Sequence, residues 1–402
     1  MLGGSARNVT KLLHSSLERR RRENLNPPEP VSDSAGQGRT KRAETILPAL
    51  LTAAYFLLLL YLFFFSIDLM STAFKLAGRG FAERLIYMVS DPVAGLLLGF
   101  VATGIIQSSS TTTTIVVGLV ASGTLSIELA VPVIMGTNIG TTTTNTLVSM
   151  GHVTRPAEFQ RAFAASTVHD FFNVLAAITL LPVEMLFHPI ERTAVFLQRL
   201  FEGAGGMNAA SPLKAILHPL AEFVVGAFPH FLLLMVLALG LLFLCLQQMM
   251  RVMRGAVLSR LETLFDRVLF RNDAASFGLG LVCTASVQSS SATTSLVVPL
   301  AGTGVLTLRQ IFPYTLGANI GTTVTAILAS FSTGSPAAVT IALAHLTFNL
   351  FGIAIYYPLS ALPIWLAQKA GRMASRSRGS SAMVIGIYVA LIVLPLIYIF
   401  AL

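Results

Sequence analysis

The chain has 402 residues, 54% of them hydrophobic and only 11% charged, with a mean hydropathy of +0.74. Soluble domains carry about 25% charged residues, so this composition describes a polytopic membrane protein and excludes a soluble enzyme. The net charge of +9 is gathered in a few tails and loops, "RRRR" at 19–22, "KR" at 41–42 and "KAGRMASRSR" at 369–378, which is how the positive-inside rule distributes charge and not how a nucleic-acid surface does.

Residues 1–44 are polar, basic and proline-containing ("NPPEP", 26–30), and are expected to form a disordered cytoplasmic tail with a short helix through "NVTKLLHSSLERRRR". The first apolar run begins near Ile46 behind that basic tail, as in an uncleaved first span with its N-terminus inside. Residues 46–70 are long enough for a bilayer core, which needs about 20 apolar residues. Further apolar segments follow at 92–122, 129–149, 159–187, 218–250, 275–304, 310–331, 337–367 and 383–402. They divide the chain into transmembrane repeat 1 (45–187), an extracytoplasmic connector (188–217), transmembrane repeat 2 (218–367), a cytoplasmic loop (368–382) and a C-terminal transmembrane helix (383–402). The two cysteines, Cys245 and Cys283, lie in apolar segments and do not suggest a disulfide framework.

Two segments carry Gln-Ser-Ser-Ser in the middle of apolar sequence, and two are interrupted by Gly-x-Asn-Ile-Gly. "IIQSSSTTTTIVVGLVASG" aligns with "SVQSSSATTSLVVPLAGTG", and "GTNIGTTTT" with "GANIGTTVT". Gln288 stands 181 positions after Gln107, and Asn319 stands 181 after Asn138. "HDFFN" (169–173) is echoed by "HLTFN" (345–349) at a slightly different offset. This is internal duplication over most of the chain. Matching interruptions in two halves are the sequence signature of a transporter's binding site.

Loop charge gives orientation. Arg155 and Arg161 place the loop near 151–161 inside, and Arg251, Arg254, Arg260, Arg267 and Arg271 place 251–271 inside as well. The first Gln-Ser-Ser-Ser segment is then entered from outside and the second from inside. Each must return on the side it entered, as a re-entrant hairpin. The expected fold is therefore all-α, with two inverted-topology repeats, each holding a re-entrant hairpin and a broken helix.

A single Ser/Thr-rich patch in a membrane helix is more often helix glue or back-bonding than a site. Here the patch occurs twice, each time behind Gln and ahead of the same Asn-Gly-Thr-Thr pattern, which packing does not require. Re-entrant half-helices present free N–H groups and a partial positive charge at their N-termini, a ready anion site. Hydroxyl and amide oxygens suit Na⁺. The glycines flanking Asn138 and Asn319 are expected to let each helix unwind, with freed carbonyls and the following threonines as cation ligands. His169, Asp170 and Asn173 lie on an otherwise apolar span, and intramembrane ionisable groups are functional by default. The second half has His345, Leu346 and Asn349, so the acid is not duplicated. No serine has a His–carboxylate pair at a spacing that would make a catalytic triad, so no enzyme activity is expected.

These residues resemble the type II sodium–phosphate cotransporter family, marked by two Gln-Ser-Ser-Ser hairpins, each followed by a Gly-(Ser/Ala/Thr)-Asn-Ile-Gly-Thr helix. The stretch "RAFAASTVHDFFNVLAAITLLPVE" (161–184) is also similar to that family, and the resemblance covers about 46–367. It implies sodium-driven uptake of inorganic phosphate by alternating access, with no cofactor beyond Na⁺ as coupling ion. It also implies that Gln107, Ser108, Ser109 and Ser110 with Gln288, Ser289, Ser290 and Ser291 surround phosphate. Gln107, Asn138, Thr141, Thr144, Ser290, Asn319, Thr322 and Thr325 are the corresponding candidates for sodium.

The 188–217 connector is short, with no Cys and no Asn-x-Ser/Thr, unlike the large glycosylated loop of animal members; this favours a bacterial inner membrane. No acid precedes Glu128 after the first hairpin, where electrogenic members carry Asp, and an electroneutral cycle is the expectation. The competing functions are sodium symport of another small anion, sulfate or a carboxylate, and a passive anion channel. A channel has no need of paired cation ligands on interrupted helices.

Overall fold

The computed structural model describes residues 37–264, 272–377 and scattered positions between 379 and 398; for 37–49, 142–144, 206–214 and 254–264 it describes the backbone alone. Most of the expected tail, including its short helix, and most of the 383–402 span lie outside the described residues. The chain separates into Met1–Ala54 and Tyr55–Leu402. Of the first unit, residues 37–54 are described and are helical, so helix begins eight residues before the expected end of the tail.

Among the described residues every regular element is helical. In chain order these are α1 Gln37–Leu76, α2 Arg79–Val89, α3 Pro92–Ile106, α4 Ser109–Ala121, α5 Ile127–Ile139, a 3₁₀ turn Gly140–Thr142, α6 Thr143–Ser149 and a second 3₁₀ turn Met150–His152. There follow α7 Pro156–Phe187, α8 Pro189–Gly203, α9 Gly206–Ala227, α10 Phe231–Leu264, α11 Asp273–Val287, α12 Ser290–Thr294, α13 Val297–Thr303, α14 Leu308–Thr333, α15 Pro336–Tyr356 and α16 Ala361–Ala374. Among the described residues five stretches are long and apolar enough to cross a membrane: Leu50–Leu76, Pro156–Phe187, Phe231–Met253, Leu308–Thr333 and Pro336–Tyr356. The pair α2 and α3, bent by 103°, makes a sixth if taken as one span. Pro92 opens α3, and the Asp91 side chain caps it by accepting from the Val93 N–H at 2.6 Å.

Two expected continuous spans are interrupted, and the connector is helical. The 218–250 segment breaks at 228–230 because Phe228 precedes Pro229 and leaves helical geometry (φ −135°, ψ 72°). The 337–367 segment divides at a turn over 357–360 that contains Pro358. The connector 188–217 is helical, formed by α8 and the first half of α9.

Glu184 shapes the corner that follows α7. Its buried carboxylate accepts the Ile190 N–H at 2.7 Å and the Glu191 N–H at 3.0 Å, capping the start of α8. Glu184→Ala leaves both donors unpaired and is expected to lower stability by about 2 kcal/mol. Thermal unfolding in detergent should place Glu184→Gln between wild type and Ala.

The two Gly-x-Asn-Ile-Gly motifs lie on α5 and α14, and their glycines serve close packing. A Cβ at Gly136 would overlap the Leu96 carbonyl oxygen, and one at Gly140 would lie 2.6 Å from the Phe100 oxygen. A Cβ at Gly317 would overlap the Phe277 oxygen, and one at Gly321 would lie 2.7 Å from the Leu281 oxygen. Each pair of partners is 40 residues apart, so α3 lies parallel to α5 and α11 lies parallel to α14. Gly99 and Gly280 reciprocate against the Val133 and Tyr314 carbonyls. This is the small-xxx-small contact of membrane helices.

The expectation that both motifs unwind holds for one of them. The helix yields after Ile139 to a 3₁₀ turn, but α14 runs unbroken from Leu308 to Thr333. Gly317 and Gly321 are there for the approach of α11, and an intact ladder of backbone hydrogen bonds survives it.

Candidate functional site

Because α3 and α5 start at the same end, the intervening α4 must run back against them, and Gln107 and Ser108 form the tip of that return. Gln288 and Ser289 do the same between α11 and α14. The two tips share a backbone geometry that few residues adopt. Gln107 (φ 58°, ψ 25°) and Gln288 (φ 60°, ψ 23°) are left-handed, and Ser108 and Ser289 are extended N-caps at φ −151° and −152°. Each cap hydroxyl accepts an N–H three residues on, from Thr111 and Ala292, both at 3.2 Å. Each glutamine amide donates to the carbonyl three residues back, Gly104 for Gln107 and Ala285 for Gln288.

The tips meet. Ser110 Oγ donates to the Gln288 carbonyl at 3.1 Å, and Ser291 Oγ donates to the Thr141 carbonyl at 2.8 Å, in the 3₁₀ turn after Asn138. Asn145 Nδ2 donates to Thr294 Oγ1 at 2.8 Å, a further bond between the halves. Ser109, Ser110, Ser290 and Ser291 are buried, and no Lys, Arg, Asp or Glu occurs in 104–126 or 285–308. The electrostatics at the tips are therefore those of hydroxyls, amides and helix ends.

The halves differ in their returning helices. α4 runs unbroken for 13 residues, while α12 stops at Thr294 and resumes as α13 at Val297. Pro299 accounts for this, since its ring crowds the carbonyl four residues back, that of Ser295; the equivalent residue in the first half is Gly118.

The sodium candidates spread around these tips. Thr141 Oγ1 and Thr322 Oγ1 each donate to the carbonyl four residues back at 3.1 Å, Thr137 and Ala318. Thr325 Oγ1 is buried without a partner among the described residues, and the side chain of Thr144 lies outside them. Thr103 and Thr284 were not singled out by sequence. They are 181 residues apart, face Gly140 and Gly321 at 2.6 Å from where a Cβ would stand, and have buried hydroxyls with no partner among the described residues. The repeat offset was the signal that could have found them.

Asn138 and Asn319 are tied to residues of the opposite half. Asn319 Oδ1 lies 2.5 Å from His169 Nε2, and Asn138 Oδ1 lies 3.2 Å from His345 Nε2. Asn319 Nδ2 donates to Asn173 Oδ1 at 2.8 Å, and Asn173 Nδ2 donates to the Asn138 carbonyl at 2.7 Å. All are buried.

A separate cavity of about 270 Å³ lies at the starts of α11 and α14, lined by Asp273, Arg309, Phe312, Tyr357 and Ser360 among others. It does not include the tips. There the Tyr357 hydroxyl donates to Asp273 at 3.0 Å, which holds the phenol's pKa above its usual value.

A family model described as Na⁺/Pi-cotransporter matches residues 62–207 and 241–389, one tip and one Gly-x-Asn-Ile-Gly in each block. The chain belongs to the Na⁺/Pi-cotransporter family. Sodium-dependent phosphate transport protein 2A of Rattus norvegicus is 32% identical over 400 residues, covering 79% of this chain and 63% of that protein. Sodium-dependent phosphate transport protein 2B of Homo sapiens is 31% identical over 424 residues, covering 80% of this chain and 61% of that protein. The chain thus spans a little under two thirds of the length of these relatives. No solved structure matches it. As a member of the Na⁺/Pi-cotransporter family with five to six helices fit to cross a membrane among the described residues, it is a membrane protein.

Proposed function

We propose that the chain is a sodium-coupled symporter that imports inorganic phosphate by alternating access. The observation that carries this is the pair of left-handed glutamine tips, equivalent in the two halves and joined by the Ser110 bond to Gln288, in a member of the Na⁺/Pi-cotransporter family. In this reading Gln107, Ser108, Ser109 and Ser110 meet the anion from one side and Gln288, Ser289, Ser290 and Ser291 from the other. Hydroxyl and amide donors at helix starts bind an oxyanion without a buried Lys or Arg. Sodium takes oxygens from Gln107, Ser290 and the segments around Asn138, Thr141 and Thr144 and around Asn319, Thr322 and Thr325, and its charge offsets that of phosphate.

The proposal includes the two halves as inverted repeats, each tip a re-entrant hairpin, with the N-terminal segment on the cytoplasmic side. Support comes from the arginines of 151–161 and 251–271 and from the parallel pairs α3–α5 and α11–α14. The compact connector is the argument for a bacterial inner membrane.

Uptake of radiolabelled phosphate into proteoliposomes is expected to require an inward Na⁺ gradient. Arsenate, a tetrahedral oxyanion of similar size, should compete. Equal uptake with K⁺ would remove the sodium reading. Strong competition by sulfate or succinate with weak competition by arsenate would transfer the assignment to another small anion, and uptake that only equilibrates phosphate would make the protein a passive pathway.

A further inference from the structure

The hydrogen bonds around Asn138 and Asn319 fix their own donors and acceptors. A main-chain carbonyl only accepts, so the atom of Asn173 facing the Asn138 carbonyl is its amide nitrogen. The other end of Asn173 is then an oxygen, and Asn319 must present nitrogen to it. That leaves the Asn319 oxygen toward His169, whose Nε2 therefore donates. Asn138 is fixed independently. Its Nδ2 donates to the Ile134 carbonyl at 3.1 Å, so its oxygen faces His345 Nε2, which donates in turn. Asn349, one turn beyond His345, donates to that oxygen at 3.4 Å and to the His345 carbonyl at 3.0 Å.

The pattern is crossed. His169 and Asn173 on α7 of the first half hold Asn319 of the second, and His345 and Asn349 on α15 of the second half hold Asn138 of the first. Neither His169 Nδ1 nor His345 Nδ1 has a partner among the described residues. The side-chain anchor of each buried ring is thus the asparagine of the other half. Helix packing alone would be served by any apolar residue of that volume, without leaving two buried ring nitrogens unpaired.

We infer that His169 and His345 are positioning residues: each orients the Gly-x-Asn-Ile-Gly segment of the opposite half so that its threonine and main-chain oxygens converge on sodium. The inference rests on the transport reading above. It also divides labour within each segment. Both polar ends of each asparagine are engaged by protein, so Asn138 and Asn319 shape the segment while Thr141, Thr322 and Thr325 supply ligands.

The test compares His169→Leu, His345→Leu, His169→Gln and His345→Gln. It reads the Na⁺ half-saturation of phosphate uptake in proteoliposomes, and the stabilisation of the melting temperature by NaCl over choline chloride in detergent. His169→Leu leaves the Asn319 oxygen unpaired and His345→Leu leaves the Asn138 oxygen with only the 3.4 Å bond from Asn349, and the Na⁺ half-saturation should rise about tenfold in each variant. A Gln side chain can donate to the same oxygen and should bring it back to within about threefold of wild type. Gln variants that restore the sodium response support the inference even where a Leu variant does not fold. It is overturned if all variants keep the wild-type sodium midpoint and differ only in melting temperature, or if Gln is as impaired as Leu. Wild type that gains stability from sodium without taking up phosphate sinks the phosphate assignment alone, and the inference is then read from the sodium midpoints. Wild type indifferent to sodium in both assays sinks both.

Discussion

Gly317→Val is expected to yield no folded protein. A Cβ at Gly317 would overlap the carbonyl oxygen of Phe277 and lie within 3.0 Å of Leu281 N. Those are backbone atoms of α11 and cannot rotate aside, so the helices would have to separate along the whole α11–α14 contact. Gly280 sets the same contact from the other side against Tyr314, and both helices hold the tip at Gln288 in place. Overpacking a side chain usually costs about 1–3 kcal/mol. Prising apart a backbone contact exceeds that and approaches the about 5–15 kcal/mol that holds a domain folded. Gly136→Val should behave alike, because its Cβ would overlap the Leu96 carbonyl. The control is Gly240→Ala on α10, where nothing lies within 4 Å of the added Cβ and Ala is the better helix former by about 1 kcal/mol. Size-exclusion profiles and melting curves of tagged protein decide it. A monodisperse Gly317→Val with a wild-type melting point would mean that α11 and α14 do not pack as described.

The same glycines show where sequence reasoning reached its limit. Gly136 to Gly140 and Gly317 to Gly321 have two readings, a helix that can unwind and a helix that can be closely approached. Sequence does not choose between them, because both need only the missing Cβ. Structure chooses differently at the two sites, with a 3₁₀ turn after Ile139 and an unbroken α14. The tips were legible because Gln-Ser-Ser-Ser recurs at one offset in two apolar segments. The asparagine ties were not. Asn138 and Asn319 are 181 residues apart and His169 and His345 are 176 apart, so each offset announces a repeat, but neither says that each histidine reaches across to the other half. The division of 218–250 was readable in Pro229 and was overridden by the hydropathy of its surroundings.

Replacing both glutamines with glycine is expected to abolish sodium-dependent phosphate uptake while leaving the protein folded, and the reason lies in the backbone. A non-glycine residue in the left-handed region costs about 1–2 kcal/mol. Among the described residues a positive φ is otherwise taken by glycine, at Gly78, Gly123, Gly205, Gly304 and Gly334, and by other residues only at Gln107, Gln288 and His188. Two equivalent positions thus carry strain that a glycine would remove, and strain of that kind points to function. Gln107→Gly and Gln288→Gly relieve the strain and delete the amide together. Each should melt at or above the wild-type temperature. Each should also lose affinity for phosphate or Na⁺ by about ten- to a hundredfold, since a hydrogen bond to a charged group contributes about 1.5–3 kcal/mol and 1.4 kcal/mol is a factor of about ten. The double variant should show no uptake above the sodium-free background. Alanine is the poorer probe, because at φ 58° and 60° it keeps the strain, so a lower melting point would be confounded with the missing amide. If the glycine variants transport with wild-type affinity, the glutamines are turn residues, and binding must be sought in the serines and threonines that follow them.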